Sequence, residues 1–71
     1  MQTFGERLKK ARKAKKLTQK ELAEIIGTTE SNVGHYENDR AYPKAEAIIK
    51  ICLELNISSD WLLGLPNGKE V

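Results

Sequence analysis

The stretch TQKELAEIIGTTESNVGHYEN, residues 18–38, has the pattern of two short helices that meet at a glycine. Its apolar residues recur three and four positions apart, which is the spacing that lines one face of an α-helix. These residues are Leu22, Ala23 and Ile26 on the first helix and Val33 and Tyr36 on the second. The small side chain of Ala23 lets the two helices approach closely, and Gly27 takes the sharp turn between them. The stretch therefore predicts a closely packed helical pair.

Helix start and stop signals recur along the whole chain. A hydroxyl residue followed three positions later by a glutamate fits the capping box, in which the two side chains satisfy free backbone N–H groups at a helix start. The predicted starts are Thr3-x-x-Glu6, Thr18-x-x-Glu21, Thr29 and Ser58, and the predicted ends include Gly27, Asn56 and Gly64. These signals predict five helices of about 6–12 residues with connections of about three to five residues.

The predicted fold class is all-α, a compact five-helix bundle in one domain over residues 1–65. Residues 66–71 are predicted to form a flexible tail. Since no helix of this length is stable alone, a shared apolar core has to hold the bundle together. The predicted core is Phe4, Leu8, Leu17, Leu22, Ile26, Val33, Tyr36, Ile48, Cys52, Leu55, Ile57, Trp61 and Leu62. Cys52 lies on the inward stripe of the fourth helix, so we interpret it as a buried small hydrophobe rather than a reactive thiol.

The overall charge of +2 for 71 residues conceals a strong asymmetry. Residues 1–20 carry eight basic side chains against Glu6 alone, a net charge of +7, whereas residues 21–71 carry four against nine carboxylates, a net charge of −5. A basic end of this kind indicates a nucleic-acid or membrane surface as partner, or simply a solvated lysine-rich helix face.

Several classes of protein are disfavoured by composition. One cysteine and one histidine argue against a disulfide framework and a zinc site, and no phosphate-cradling glycine loop is present. No apolar run approaches the roughly 20 residues that cross a bilayer, and MQTFGERLKK lacks the apolar core of a signal peptide. We therefore expect a cytoplasmic, non-enzymatic chain with no metal, no cofactor and no membrane contact.

Pieces on both sides of the helical pair complete a longer pattern. They are FGERL at residues 4–8, LTQ at 17–19, YEN at 36–38, Pro43 and DWLLG at 60–64. From Phe4 to Gly64 the chain resembles the Cro/cI-type phage repressors, also called xenobiotic-response-element-like regulators. The resemblance implies a lambda-repressor-like domain with a helix-turn-helix over residues 18–37. Its third helix would enter the DNA major groove, with the start of the second helix facing the DNA backbone.

The family's base-reading positions fall on Glu30, Ser31, Asn32 and His35. An asparagine pairs with adenine, a serine contacts most bases, and a glutamate accepts from cytosine N4. Glu30 has the alternative role of stabilising the N-terminus of its own helix. Gln19, in the first turn of the second helix, corresponds to a position that contacts phosphate or bases. Without the family likeness, an ordinary solvated helix face explains the same residues.

The resemblance also implies contacts to the DNA backbone or minor groove. The residues concerned are Thr18, Lys20, Asn38, Arg40, Tyr42 and Lys44. For the last three, the alternative is a solvated loop in which Pro43 starts the fourth helix. Arg12 and Glu37 match a partly buried ion pair between the first and third helices, which gives them a structural role.

The chain departs from the family pattern at a few positions. Gly34 stands inside the third helix, where a glycine costs about 0.8–1 kcal/mol relative to alanine. Lys16, Asp39 and Asn56 occupy turn positions where glycine is common, so we expect left-handed backbone there. Asp39 is also predicted to add negative charge beside the DNA-facing surface.

The leading functional hypothesis is a sequence-specific, double-stranded DNA-binding transcriptional regulator, a repressor acting at the nucleoid. Because one helix reads few base pairs, we expect a homodimer on a palindromic operator. Its contacts are predicted in the C-terminal region, at Ile49, Leu53, Trp61, Leu63 and Leu65. A protein anti-repressor or a C-terminal domain outside this chain are further partners to consider. The alternative hypothesis is a protein-interaction module, an antitoxin or accessory subunit, favoured by Glu30, Gly34 and Asp39 on the same surface.

Overall fold

The computed structural model describes residues 2–66 and Gly68, and within them the chain forms five α-helices and no strand. The helices are α1 (Phe4–Ala14), α2 (Gln19–Ile26), α3 (Glu30–Glu37), α4 (Ala45–Leu55) and α5 (Ser59–Leu63). The predicted all-α, five-helix fold is confirmed. None of these helices is long and apolar enough to span a membrane. Most of the flexible tail predicted for residues 66–71 lies outside the described residues and stays a prediction.

Four of the five described helices begin at the predicted caps. Thr3 and Thr18 each complete a capping box. At Thr18, the hydroxyl oxygen accepts from the backbone N–H of Glu21 at 3.0 Å, and the Thr18 N–H donates to the Glu21 carboxylate at 2.8 Å. The hydroxyls of Thr29 and Ser58 accept backbone N–H groups at the starts of α3 and α5. These bonds satisfy donors that have no partner inside the helix, so the four starts are fixed locally.

Helices α2 and α4 each end at a residue with left-handed backbone conformation. Gly27 ends α2 with a φ of 74°, and Asn56 ends α4 with a φ of 53°. The other described residues with positive φ are Lys16 (58°), Asp39 (58°) and Gly64 (79°). The left-handed geometry predicted for Lys16, Asp39 and Asn56 is therefore confirmed. Asparagine and aspartate tolerate this conformation better than most other residues do.

The core lies where the inner faces of the five helices meet. Its buried apolar residues are Phe4, Leu8, Ala11, Leu22, Ala23, Ile26, Val33, Ile51, Leu55, Ile57, Trp61 and Leu62. The predicted core residues Leu17, Tyr36, Ile48 and Cys52 are half-buried and pack against this cluster. Burial raises the pKa of the Cys52 thiol, which keeps the thiol protonated.

Trp61 is buried, with 6% of its surface exposed, so it cannot supply the dimer contact predicted for it in this fold. The reason is the short α5, which turns Trp61 and Leu62 into the core. Leu63 and Leu65 stay at the surface, 46% and 50% exposed.

The connection between α3 and α4 covers residues 38–44 and is longer than predicted. Lys44 is the N-cap of α4 and makes no side-chain capping bond. Pro43 is buried and stands before the cap, so it does not start the helix as the solvated-loop alternative assumed. This long connection brings residues 39–42 back to the beginning of α1.

Gly5 allows α1 to pack directly on the end of α3. A Cβ at this position would collide with the backbone carbonyl oxygen of Glu37 and lie 2.6 Å from that of Tyr36. Backbone atoms cannot move aside as a flexible side chain would. The helix contact therefore requires a glycine at position 5, whereas a Cβ at Gly34 meets open space.

We expect Gly5→Ala to destabilise the domain by about 1–3 kcal/mol, because α1 and α3 have to separate to admit the methyl group. The matched control is Gly34→Ala, which adds the same methyl group to a helix without a collision. It should stabilise the domain by about 0.5–1 kcal/mol. Urea unfolding followed by circular dichroism measures both changes. Equal effects of the two substitutions would contradict the close contact at Gly5.

Candidate nucleic-acid interface

The outer surface of α3 is polar and exposed to solvent. Glu30, Ser31, Asn32 and His35 are all exposed, whereas Val33 on the opposite side is fully buried. The structure thus brings four of the predicted base-reading residues onto one surface, which we call the α3 face. Gly34 beside them is half-buried and adds no side chain, so the backbone of α3 is accessible there.

Asn32 is tied to the turn that precedes α3. Its Nδ2 donates to the hydroxyl of Thr28 at 2.9 Å, and its backbone N–H donates to the hydroxyl of Thr29 at 3.1 Å. These bonds hold the amide in one orientation. Its second Nδ2–H and its carbonyl oxygen have no hydrogen-bond partner within the described part of the chain.

A buried ion pair joins α1 to α3. The Arg12 Nε donates to Glu37 Oε2 at 2.6 Å, and Nη2 donates to Oε1 at 3.1 Å. The two side chains are only 9% and 2% exposed. The remaining guanidinium nitrogen, Nη1, donates to the carbonyl oxygen of Leu17 at 2.7 Å. This bidentate geometry fixes the orientation of both groups, and it attaches the α1–α2 connection to the same pair.

Gln19 connects α2 to the ion pair by a hydrogen bond. Its Nε2 donates to Glu37 Oε1 at 3.0 Å, and the residue is half-buried. The structure therefore places Gln19 against the ion pair, with one amide N–H already used inside the protein. The sequence does not predict this contact, since nothing in the local pattern links two residues 18 positions apart.

The start of α2 exposes Thr18 and Lys20 on either side of Gln19. Glu21 forms hydrogen bonds with the backbone N–H of Thr18 and, as a smaller effect, with the Thr18 hydroxyl. Both bonds lower the pKa of the Glu21 carboxylate. The Glu21 carboxylate is therefore ionised and engaged with its own helix start. Lys20 carries the positive charge of this turn on the surface.

The connection of residues 38–44 presents Asn38, Arg40, Tyr42 and Lys44, all of them exposed. The Nδ2 of Asn38 donates to the carbonyl oxygen of Gly34 at 2.9 Å, so this side chain closes the end of α3. The ring of Tyr42 packs on the ring of Phe4, with centroids 5.3 Å apart. Arg40 and Lys44 are the exposed cations of the connection.

Asp39 makes two hydrogen bonds that the sequence does not predict. Its Oδ2 accepts from the hydroxyl of Thr3 at 2.6 Å, and its Oδ1 accepts from the backbone N–H of Gly5 at 2.9 Å. The carboxylate therefore lies at the N-terminus of α1, where the helix dipole favours negative charge. That its charge also lies beside a DNA-facing surface stays a prediction.

An open cleft of about 370 Å³ lies between the turn before α3 and the first half of α4. Its lining includes Thr28 and Asn32 on one side and Lys44 and Lys50 on the other. Glu46 also lines the cleft, so its charged lining consists of two cations and one carboxylate. The described residues contain no group of three or more histidine, cysteine, aspartate or glutamate side chains placed to hold a metal ion.

Residues 5–68 match the family model described as "Helix-turn-helix domain". The chain belongs to this family. The SPbeta prophage-derived uncharacterized HTH-type transcriptional regulator YonR of Bacillus subtilis (strain 168) is 40% identical over 60 residues, which cover 84% of this chain and 56% of that protein. The HTH-type transcriptional regulator ImmR of the same strain is 39% identical over 62 residues, covering 87% of this chain and 49% of that protein.

Among solved structures, the P22 c2 repressor in complex with a synthetic operator superimposes with a TM-score of 0.84 at 28% identity. The superposition covers 89% of this chain and 96% of that one. The chain of 71 residues spans about half the length of the two Bacillus regulators. The five helices described above thus correspond to a repressor-type helix-turn-helix domain.

We expect Arg12→Met to destabilise the domain by about 3–5 kcal/mol, because it leaves the Glu37 carboxylate buried without its cation. The control Lys13→Met shortens the neighbouring basic residue on the exposed side of α1 and should change stability by less than about 0.5 kcal/mol. Thermal unfolding followed by circular dichroism distinguishes them.

The double variant Arg12→Met/Glu37→Met removes both charges and should recover most of the loss of the single variant. If the double variant is as unstable as Arg12→Met, the cost does not come from an unpaired buried charge.

Proposed function

We propose that this chain is the DNA-binding domain of a transcriptional repressor and that α3 reads base edges in the major groove. The observation that carries the proposal is the α3 face, an exposed hydrogen-bonding surface on a helix whose other side is held by Val33 and the Glu37 ion pair. An α-helix fits the major groove, where each base pair displays a distinct set of donors and acceptors. In this role the chain acts in the cytoplasm, at the nucleoid, and catalyses no reaction.

The side chains of the α3 face supply complementary chemistry. Asn32 has a second Nδ2–H and a carbonyl oxygen for a two-point contact with adenine, and its bond to Thr28 orients the amide for it. Ser31 both donates and accepts, and His35 does the same according to its protonation. Glu30 accepts from cytosine N4 or stabilises the start of α3.

A second set of residues positions α3 by contacting phosphates. At the start of α2, Thr18, Lys20 and the remaining amide hydrogen of Gln19 lie where the helix dipole attracts an anion. Arg40, Tyr42 and Lys44 form the corresponding set after α3. The exposed lysines of α1 and its connection add a sequence-independent attraction that salt weakens.

We infer that the domain binds its operator as a homodimer through α4 and α5. Ile49 and Leu53 are 58% and 75% exposed on α4, and Leu63 and Leu65 are about half exposed after it. A two-fold dimer presents two copies of α3 to half-sites about 34–36 Å apart, which a palindromic operator supplies.

The test uses a duplex that the wild-type chain has selected from a random pool. We expect Ser31→Ala and His35→Ala each to weaken binding to this selected duplex by about tenfold, because base contacts are lost. Binding to a scrambled duplex of the same composition should change little, because phosphate contacts remain. The matched control is Ser59→Ala, an exposed serine on α5 away from the α3 face. Gel-shift titration at fixed salt measures the affinities.

A wild-type chain that binds selected and scrambled duplexes equally would exclude sequence-specific reading. If Ser31→Ala and His35→Ala bind the selected duplex as tightly as the wild type, these α3 residues do not read the base sequence. The hypothesis of a protein-interaction module then gains support.

Leu53→Ala should raise the dimer dissociation constant at least about tenfold, because a two-fold interface loses the buried leucine twice. Glu54→Ala truncates the adjacent exposed residue and should leave the constant unchanged. Sedimentation equilibrium measures both. A wild-type chain that stays monomeric at high concentration would rule out this interface without affecting the role of α3.

A further inference from the structure

The connection of residues 38–44 is fastened to the start of α1 at two points. The first is the Asp39 carboxylate, which accepts from the Thr3 hydroxyl at 2.6 Å and from the Gly5 N–H at 2.9 Å. The second is the Tyr42 ring on Phe4, at 5.3 Å between centroids. Arg40 lies between these points, and Pro43 after them is buried. An exposed loop is therefore held where loops of this length are usually mobile.

The Asp39 contact is specific in its chemistry. The Gly5 N–H belongs to the first turn of α1, where backbone donors have no partner inside the helix. The Thr3 hydroxyl donates to Asp39 while it accepts from the Glu6 N–H at 3.2 Å, so one hydroxyl links the loop to the helix cap. Two hydrogen bonds and the helix dipole together hold one carboxylate.

The backbone at Asp39 is left-handed, with a φ of 58°. Glycine adopts this conformation freely, and aspartate is among the few other residues that tolerate it. A glycine would relieve the backbone but would leave the Gly5 N–H and the Thr3 hydroxyl without this acceptor. Asp39 therefore serves the connection between the loop and α1 rather than the shape of the turn.

We propose that Asp39 is a positioning residue for DNA binding: by fastening the 38–44 connection to Thr3 and Gly5, it presents Arg40 and Tyr42 to the DNA backbone already ordered. This inference rests on the proposed DNA-binding function. Asp39 itself touches no DNA, and its effect is to avoid the entropy cost of ordering the loop during binding.

The direction in which DNA affinity changes when Asp39 is replaced distinguishes a positioning role from a purely electrostatic one. If Asp39 acted only as a negative charge near the phosphates, its removal would strengthen binding. If it positions the loop, its removal weakens binding although a repulsive charge has gone. Base reading by the α3 face is unaffected in the second case, so selected and scrambled duplexes lose affinity by the same factor.

The test is Asp39→Gly, which suits the left-handed backbone, in gel-shift titrations with the selected and the scrambled duplex. We expect both affinities to fall about tenfold, with the ratio between them and the salt dependence unchanged. Thr3→Val removes the partner hydroxyl without changing any charge and should weaken binding in the same direction. The double variant should bind DNA about as weakly as Asp39→Gly, because both changes remove the same bond between Thr3 and Asp39.

One control variant and one measurement separate positioning from general instability. Ile57→Val removes a buried methylene group from the core, so it destabilises the fold away from the loop without changing an exposed side chain, and it should leave DNA affinity unchanged. The N–H groups of Gly5 and Arg40 are hydrogen-bonded, to Asp39 Oδ1 and to the His35 carbonyl oxygen, each at 2.9 Å. Amide hydrogen exchange at these two positions should accelerate in Asp39→Gly and not in Ile57→Val.

Stronger or unchanged DNA binding by Asp39→Gly, with the wild type binding normally, would overturn the positioning role alone. A wild-type chain that binds neither duplex would overturn the proposed function and this role with it.

Discussion

Arg12 and Glu37 are opposite charges buried between α1 and α3, and each is stable there only because other groups complete its hydrogen bonds. Arg12 also holds the carbonyl oxygen of Leu17, and Glu37 also holds the amide of Gln19. One pair thus fixes α1, the α1–α2 connection, the first turn of α2 and the end of α3. Since two charges without these partners would cost several kcal/mol to bury, the relative positions of these elements are strongly specified.

The surface groups follow from this arrangement. With α2 and α3 held from within, the exposed residues of α3 need not contribute to packing and are left to bind a partner. The basic residues near the beginning of the chain and the nearly uncharged α3 face then have separate tasks in the proposed complex. The former attract any phosphate backbone, and the latter distinguish one base sequence from another.

Local patterns predicted most of the fold. Thr18 and Glu21 form hydrogen bonds with each other within one turn, and Asn56 adopts a left-handed conformation largely independent of distant residues. Both features can therefore be predicted from the sequence. The bonds of Asp39 to Thr3 and of Gln19 to Glu37 join residues far apart in the chain, and no periodicity reports them. Trp61 is correctly predicted in the core, and its burial excludes the dimer contact that is also predicted for it, because one buried side chain cannot serve both roles.

The exposure of Glu30, Ser31, Asn32 and His35 has a consequence for how such a domain diversifies. Core positions such as Val33 cannot change without loss of stability, whereas substitutions on the α3 face leave the packed interior intact. If α3 reads DNA as proposed, new operator preferences are therefore accessible by single amino-acid changes that keep the domain folded. Gly34, with open space above it, adds one more position at which a side chain can be gained. A lineage of such domains can diverge in recognised sequence while keeping one scaffold.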